Sequence, residues 1–247
     1  MRKILNIKAI DNKNVWVLYQ NGTLLHIDGS FNTTKINLFD SNETVPTDFE
    51  FIQKGEFLVT TNSGIYKINI KQNSEIKEIE KLTSKTHQTA NLTCIQRSFL
   101  DSSIYNIGTV DRGIFQIKYN NGKMLVKNYE DSTSLSSASV QDIFEDQKNN
   151  LWIATYSGLY KIPYTSEKEL KNSENKTYYN QENGLPTNYI KTSFVDSEGN
   201  VLEPTNDSKG INLSIIRQTF TERETGVLSF DDENGTSANF INLLGEQ

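Results

Sequence analysis

The feature that most restricts the fold of this chain is an internal repeat with a period of roughly 45 residues. Its clearest copy runs from Val140 to Ile162 and reads as a strand, a polar turn, a second strand, a short glycine turn and a third strand. A chain with such a period is predicted to fold as a series of similar supersecondary units. Further copies lie at 7–27, 57–68 and 104–117.

The glycines of the short turns give the spacing of the units. In the fifth copy, Glu203 and Pro204 stand where the other copies have the apolar centre of the second strand. Because proline has no N–H to donate to a strand ladder, we predict that this last unit is irregular or bulged. The five turn glycines, Gly22, Gly64, Gly113, Gly158 and Gly210, are separated by 42, 49, 45 and 52 residues.

A polar loop recurs between the units. The segment Glu182–Ile190, which reads Glu-Asn-Gly-Leu-Pro-Thr-Asn-Tyr-Ile, returns in weaker form as Glu233–Ile241, at an offset of 51 residues. Each copy of the loop leads into the first strand of the next unit, and the run that precedes the loop supplies a fourth strand. Four short antiparallel strands per unit predict an all-β fold, a β-propeller with four-stranded blades.

The repeat also defines the predicted domain organisation, a partial β-propeller over residues 1–247. Because five blades and one extra strand do not close a ring, we expect the chain to be a fragment of a larger, seven-bladed propeller. An open arc exposes strand edges and apolar faces, so we expect further blades or a partner to cover them. The predicted blades are 1–43, 44–92, 93–137, 138–186 and 187–238, and the opening strand of the next blade is 239–247.

These motifs resemble the two-component regulator propeller repeat, which occurs in the sensor regions of bacterial hybrid histidine kinases. The resemblance implies a non-catalytic module in the extracytoplasmic, periplasmic part of a signalling protein, which senses a carbohydrate-type ligand. The partners that it implies are an oligosaccharide or other polar small ligand, together with the remaining blades, a kinase region or a second copy of the chain. The matching residues are Glu182–Ile190, Ile143, Glu145, Asp146, Asn150–Thr155 and Gly158-Leu159.

Composition excludes several other classes of function. The 31 acidic and 25 basic residues give a formal net charge of −6, which argues against nucleic-acid binding. The chain has no apolar run of the ~18–20 residues that a membrane helix needs, and we expect no signal peptide after Met1. One cysteine, Cys94, and two histidines, His26 and His87, supply too few ligands for a zinc site or a His-rich metal site. We therefore expect no metal, no cofactor and no enzyme activity.

Recurring acids and tryptophans are explained by structure rather than by chemistry. Asp11, Asp146 and Asp196 each precede the second strand of a copy, where an aspartate bonds its own backbone in a turn. Acids that recur in three separate units point to three places, so they are not expected to form one catalytic pair. Trp16 and Trp152 share one position inside the second strand and are predicted to pack between blades.

The binding surface is expected where the loops between strands two and three, and between strands four and one, open on one face of a propeller. Tyrosine faces stack on sugar rings while amides bond hydroxyl groups, and a single arginine suits an uncharged or weakly anionic polar ligand. The alternatives are a protein–protein interaction scaffold without a small ligand, and loops that are ordinary solvated turns. The candidate ligand-binding residues are Tyr19, Asn62, Asp111, Arg112, Tyr156 and Asn188.

Overall fold

The regular structure of the described residues is β-strand, apart from one turn of 3-10 helix at Gln181–Asn183. Within the described residues, no helix has the length and apolar character to cross a membrane. The chain divides into two compact units, a first unit of 1–111 and 115–128 and a second unit of 112–114 and 129–247. The structure, a computed structural model, describes residues 3–11, 13–39, 43–71, 75–82, 91–120, 123–128, 135, 138–164, 176–183, 185, 187–192, 194–195, 201–207, 210–217, 226–230 and 238–242.

The first unit contains three four-stranded antiparallel sheets, in which the strands lie side by side in chain order. Sheet 1 consists of β1 (Ile4–Asp11), β2 (Asn14–Tyr19), β3 (Thr23–Ile27) and β4 (Thr33–Asn37). Sheet 2 consists of β5 (Pro46–Gln53), β6 (Glu56–Thr61), β7 (Gly64–Ile70) and β8 (Ile76–Leu82). Sheet 3 consists of β9 (Leu92–Arg97), β10 (Ile104–Thr109), β11 (Ile114–Asn120) and β12 (Lys123–Asn128).

The second unit contains one four-stranded and one five-stranded sheet, again in chain order. Sheet 4 consists of β13 (Val140–Glu145), β14 (Asn150–Thr155), β15 (Leu159–Pro163) and β16 (Thr177–Tyr179). Sheet 5 consists of β17 (Phe194–Val195), β18 (Val201–Asp207), β19 (Gly210–Arg217), β20 (Gly226–Phe230) and β21 (Ala238–Asn242). The prediction of an all-β fold is confirmed, and sheets 1 to 4 have the four antiparallel strands predicted for each repeat.

The last strand, β21, covers part of the segment that we predicted to open a further blade. It pairs antiparallel with β20, from Gly226↔Asn242 to Phe230↔Ala238, and is thus the fifth strand of sheet 5. The blade boundaries themselves stay a prediction.

The ladder that contains Pro204 has no bulge, which is one of the two distortions predicted for the last unit. The ladder between β18 and β19 keeps one register from Val201↔Ile216 to Asp207↔Gly210, through the proline. On its other side, β18 pairs with β17 only at Val201 and Leu202, so within the described residues Pro204 has a partner strand on one side only. A proline is tolerated at such an edge because its missing N–H breaks no ladder bond there.

Register shifts occur in the ladders between first and second strands of sheets 1 to 4, and in sheets 1, 2 and 4 one of them lies next to a repeated polar residue. The register of β1, β5 and β13 with their neighbours shifts just before Asn6, Asp48 and Asp142. The side-chain Oδ1 of each accepts a hydrogen bond from the N–H of the next residue, at 2.7, 2.7 and 2.9 Å. A bulge leaves a backbone donor without its ladder partner, and this side chain supplies the acceptor.

Asp48 connects all three sheets of the first unit. Its Oδ1 also accepts from Asn6 Nδ2 of β1 at 2.6 Å, and its Oδ2 accepts from the N–H of Ile95 in β9 at 2.9 Å. Beside it, Lys8 Nζ lies 2.6 Å from Glu50 Oε2 and also donates to the Ile95 carbonyl. Burial raises the pKa of Asp48, although Lys8 and the N–H donors act in the opposite direction.

The second strands are the most deeply buried elements. All six residues of β14 are buried, and Trp152 is 0% exposed. Trp16, its counterpart in β2, is 6% exposed, and Cys94 is also buried. Burying one large apolar side chain contributes on the order of 2–3 kcal/mol, so strands buried on both faces supply much of the core.

The turn aspartates bond their own backbone, as predicted for Asp11 and Asp146. Asp146 Oδ1 accepts from the N–H groups of Lys148 and Asn150 at 2.8 and 2.9 Å, and its Oδ2 accepts from Trp152 Nε1 at 2.8 Å. Asp11 Oδ1 accepts from the N–H of Lys13 at 2.7 Å. Asp196, the third member of the set, lies outside the described residues.

Replacing Asp146 by alanine should destabilise the protein much more than the same change at Asp11. Asp146→Ala removes the acceptor of a buried indole and of two turn N–H groups, which costs about 3 kcal/mol. Asp11→Ala is the matched control, because Asp11 is exposed and its turn is solvated, and it should cost much less than Asp146→Ala. Urea unfolding followed by tryptophan fluorescence measures both. Equal losses would contradict a structural role for the indole bond.

Asp101 should make stability depend on pH in the acid range. Ser103 donates to it from its N–H at 2.9 Å and its hydroxyl at 2.6 Å, and Lys118 Nζ lies 3.2 Å away, which together lower the pKa of Asp101 to about 2. A lowered pKa gives stability that is present above the ordinary value of 3.8 and is lost as pH falls through about 2.

The Asp101→Asn variant tests this linkage. Because both partners of the ion pair are over a third exposed, we expect a loss of about 1 kcal/mol or less above pH ~5. The difference in melting temperature between the two proteins should shrink as pH approaches ~2. A difference that is the same at every pH would show that the charge of Asp101 contributes nothing.

Candidate functional site

One backbone hydrogen bond recurs at the loop end of the four-stranded sheets. In each sheet, a residue in the turn after the second strand donates its N–H to the carbonyl just before the first strand. The side chains of all four donors are exposed. The backbone of these loops is therefore fixed while the side chain at this position faces solvent. The four bonds are Gln20 to Lys3 at 2.9 Å, Asn62 to Val45 at 3.0 Å, Val110 to Asn91 at 3.0 Å and Tyr156 to Ser139 at 3.3 Å.

Threonine side chains stiffen two of these turns. Thr61 Oγ1 donates to the Gly64 carbonyl at 2.9 Å, and Thr155 Oγ1 donates to the Gly158 carbonyl at 2.7 Å. Gly158 has φ of 145°, and a Cβ there would lie 2.4 Å from the Tyr179 carbonyl oxygen. The turn thus requires glycine, and it presents its exposed residue from a rigid base.

The three candidates in the first unit differ in what they can offer a ligand. Tyr19 is the half-buried last residue of β2, and Asp111 is exposed. Asn62 is exposed, but its Oδ1 accepts from the Val45 N–H and its Nδ2 donates to the Glu43 carbonyl, each at 3.0 Å. Both ends of the Asn62 amide are therefore used to join two loops of its own sheet.

In the second unit, the structure brings the loops of Tyr156 and Asn188 together. Tyr156 is 50% exposed, and its ring stacks on that of Tyr189 with centroids 4.6 Å apart and an interplanar angle of 26°. A hydrogen bond with Tyr189 raises the pKa of Tyr156. The backbone N–H of Ile190 donates to the Thr155 carbonyl at 3.0 Å and ties the two loops to each other.

Tyr189 was not among the predicted residues. It is 39% exposed, so the pair presents two accessible ring surfaces at one place. A signal for it exists, because an aromatic residue recurs between asparagine and isoleucine as Tyr189 and Phe240. The repeat does not show that Tyr189 contacts Tyr156, which lies thirty-three positions earlier in the chain, in the turn after β14.

The loop that carries Asn188 and Tyr189 is held by its own amides. Asn188 Oδ1 accepts from the Gln181 N–H at 2.7 Å, and Asn183 Nδ2 donates to the Tyr178 carbonyl at 2.7 Å. Leu185 and Ile190 are buried beneath it. The Asn188 Oδ1 is thus occupied, and its Nδ2 donor is the group that can serve a ligand next to the tyrosines. Arg112, the remaining candidate, is half-buried in the same unit.

The described residues contain no group of three or more His, Cys, Asp and Glu side chains that could hold a metal ion. His26 Nε2 lies 2.9 Å from Asn14 Oδ1, and its ring stacks on Trp16 at 4.2 Å. Burial lowers the pKa of His26. His87 lies outside the described residues.

Comparison with solved structures identifies the fold. The extracellular domain of the one-component system BT4673 from B. thetaiotaomicron has a TM-score of 0.57 at 17% identity, over 95% of this chain and 34% of that one. Virginiamycin B lyase from Staphylococcus aureus gives 0.64 at 10% identity, over 98% and 78%. The β-propeller domain of Cps50 (Swd1) from Myceliophteria thermophila gives 0.58 at 8% identity, over 98% and 89%. The chain spans about a third of the length of the first of these proteins.

Sequence comparison agrees with the motifs. No curated protein matches the chain by sequence. Residues 134–157 match the family model of the two component regulator propeller, over the end of the loop before β13, β13 itself and β14 with its turn. At identities of this size the solved structures show the fold alone. The chain therefore has a β-propeller fold and carries, at 134–157, the two-component regulator propeller repeat that its sequence resembles.

Proposed function

We propose that this chain is a ligand-sensing, non-catalytic propeller module in the extracytoplasmic part of a signalling protein. Two findings support the proposal: the two-component regulator propeller repeat at 134–157 and the likeness to the extracellular domain of a one-component system. The lyase among the structural neighbours has the same fold, and fold does not carry function from one propeller to another.

The ligand is a carbohydrate, and the stacked pair of Tyr156 and Tyr189 is the observation that carries this part of the proposal. Two accessible aromatic faces on fixed loops offer apolar surfaces for the faces of sugar rings. Beside them, Asn188 Nδ2 offers a donor for sugar hydroxyls. Because the loops are held by backbone and amide bonds, little ordering has to occur on binding.

Signalling requires more than occupancy of this site. A ligand shifts an equilibrium only if it binds two states of the protein with different affinity. Tyr156 follows β14 and Tyr189 precedes the start of the next sheet, so a ligand on both rings favours the arrangement in which these loops are close. The partners that read this arrangement are the remaining blades, a kinase region or a second copy of the chain.

Removing either tyrosine should weaken oligosaccharide binding. We expect Tyr156→Ala and Tyr189→Ala each to cost about 1 kcal/mol, roughly fivefold in Kd, because each loses one stacking face. Isothermal titration calorimetry with neutral gluco-, manno-, xylo- and arabino-oligosaccharides measures the change. Phe31→Ala is the matched control, since Phe31 is an aromatic residue 86% exposed in the β3–β4 turn, away from the loop ends.

Two outcomes would contradict the proposal. If neither the neutral oligosaccharides nor their uronic-acid counterparts change the melting temperature of the folded protein, the carbohydrate assignment fails. A stable complex with another protein, or self-association that persists without any small molecule, would favour the interaction scaffold.

A further inference from the structure

The first unit contains a cavity of about 260 Å³ at the ends of its strands that lie away from the loops described above. Asn14, one of its lining residues, begins β2, whereas Tyr19 ends it. The cavity lies among the β1–β2 turn, the β5–β6 turn and the end of β7. Its polar and aromatic lining residues are Asp11, Asn14, Trp16, His26, Lys54 and Lys71.

Trp16 lacks the partner that its counterpart has. In sheet 4, the indole Nε1 of Trp152 donates to Asp146 Oδ2 at 2.8 Å. In sheet 1 the turn is one residue shorter, with five positions from Asp11 to Trp16 instead of the six from Asp146 to Trp152. The Trp16 Nε1 is buried and has no hydrogen-bond partner in the described structure.

Asp11 makes the turn bonds that Asp146 makes, but it does not accept from the indole of Trp16. Its two carboxylate oxygens accept from Asn14 Nδ2 at 2.9 and 3.0 Å, and Oδ1 also accepts from the Lys13 N–H. Asp146 accepts in the same way from Asn150 Nδ2, at 3.1 and 2.8 Å, and also accepts from its indole, so the missing bond of Trp16 goes with the shorter turn and not with the turn bonds of Asp11. A buried N–H without a partner is unfavourable, and an incoming acceptor would remove that cost.

The residue opposite the tryptophan differs between the two copies. Trp152 pairs across the ladder with Lys161, whose Nζ lies 5.3 Å from the indole ring centroid. Trp16 pairs with His26, whose ring stacks on the indole with an interplanar angle of 15°. The half-buried His26 ring thus covers one face of the Trp16 indole, and its Nε2 lies 2.9 Å from Asn14 Oδ1.

The charges around the cavity favour an anion. Lys54 is exposed and makes no ion pair or hydrogen bond with the rest of the described chain. Lys71 lies 3.5 Å from the exposed Glu75, an ion pair that is open to solvent and weak. Asp11 is the acid of the lining, and its oxygens are already hydrogen-bonded.

From these observations we infer that the cavity is a second ligand site, which takes a small carboxylate with a planar apolar body. The carboxylate accepts from Trp16 Nε1, as the Asp146 carboxylate does from Trp152, and pairs with Lys54. The apolar body lies against Ile10 and Ile70, which also line the cavity. The site is independent of the tyrosine pair and of the carbohydrate proposal.

Benzoate is the probe, and the two indole N–H signals in a ¹H–¹⁵N spectrum of the full chain are the readout. We expect benzoate to shift the Trp16 signal and to leave the Trp152 signal unchanged, with a Kd on the order of 1 mM for so small a ligand. Trp16→Phe assigns the two signals. Benzyl alcohol, which has the ring without the charge, should bind at least about tenfold more weakly.

Charge variants separate the site from general attraction. Lys54→Gln should raise the benzoate Kd about fivefold, and Lys35→Gln, which removes an exposed lysine of β4 away from the cavity, should not change it. The proposal is overturned if benzoate at about ten times the expected Kd leaves the Trp16 signal in place, or if benzyl alcohol binds as well. Equal weakening by the two lysine variants would overturn it too. The comparison of the two probes uses the wild-type protein, so it holds even if a variant fails to fold.

Discussion

The hydrogen bonds of one buried carboxylate determine how the first unit is held together. Asp48 receives N–H groups from its own strand, from Asn6 of β1 and from Ile95 of β9, so a single side chain joins three sheets. Removing such a group would leave several buried donors unpaired, each at about 1–3 kcal/mol. Lys8 and Glu50, each two residues further along β1 and β5, form a second polar contact between these strands. The first strands of this unit thus supply polar contacts between its sheets, while the second strands supply buried apolar surface.

This division of labour leaves the loop ends available for function. The turns are fixed by backbone bonds and by threonine hydroxyls, so their outward side chains carry little of the stability. Tyr156 and Tyr189 can therefore remain half exposed, at a cost in apolar surface that the core offsets. Residues that bind ligands on rigid scaffolds are commonly found at such positions.

The repeat made most of the fold predictable. Most copies share a glycine turn and a doubly buried second strand, and three of them add an aspartate turn. The copy with Asp146, Trp152 and Gly158 shows all three features most clearly. The rule that proline disrupts a strand ladder fails at Pro204. Within the described residues Pro204 has a partner strand on one side only, so its missing N–H breaks no ladder bond on the other.

The candidate site was less predictable, because a sequence repeat does not show which distant residues contact each other. Asn62 has a side chain suited to ligand binding, yet both its polar atoms form hydrogen bonds to the loop that precedes β5. Tyr189 has a local signal, but its stacking on Tyr156 depends on how two loops meet. The turn before Trp16 is one residue shorter than the turn before Trp152, and the sequence alone does not show that the Trp16 indole lacks the partner that Trp152 has.

The recurring bond from each second-strand turn to the start of its own sheet has a consequence for how such proteins diversify. Gln20, Val110 and Tyr156 make this bond through the backbone, so any residue type except proline, which has no N–H, can replace their side chains while the bond persists. Asn62 is the exception, since its side-chain amide also forms hydrogen bonds with the backbone of Val45 and Glu43. Evolution, or a combinatorial library, can therefore vary recognition at three of these four positions without disturbing the fold.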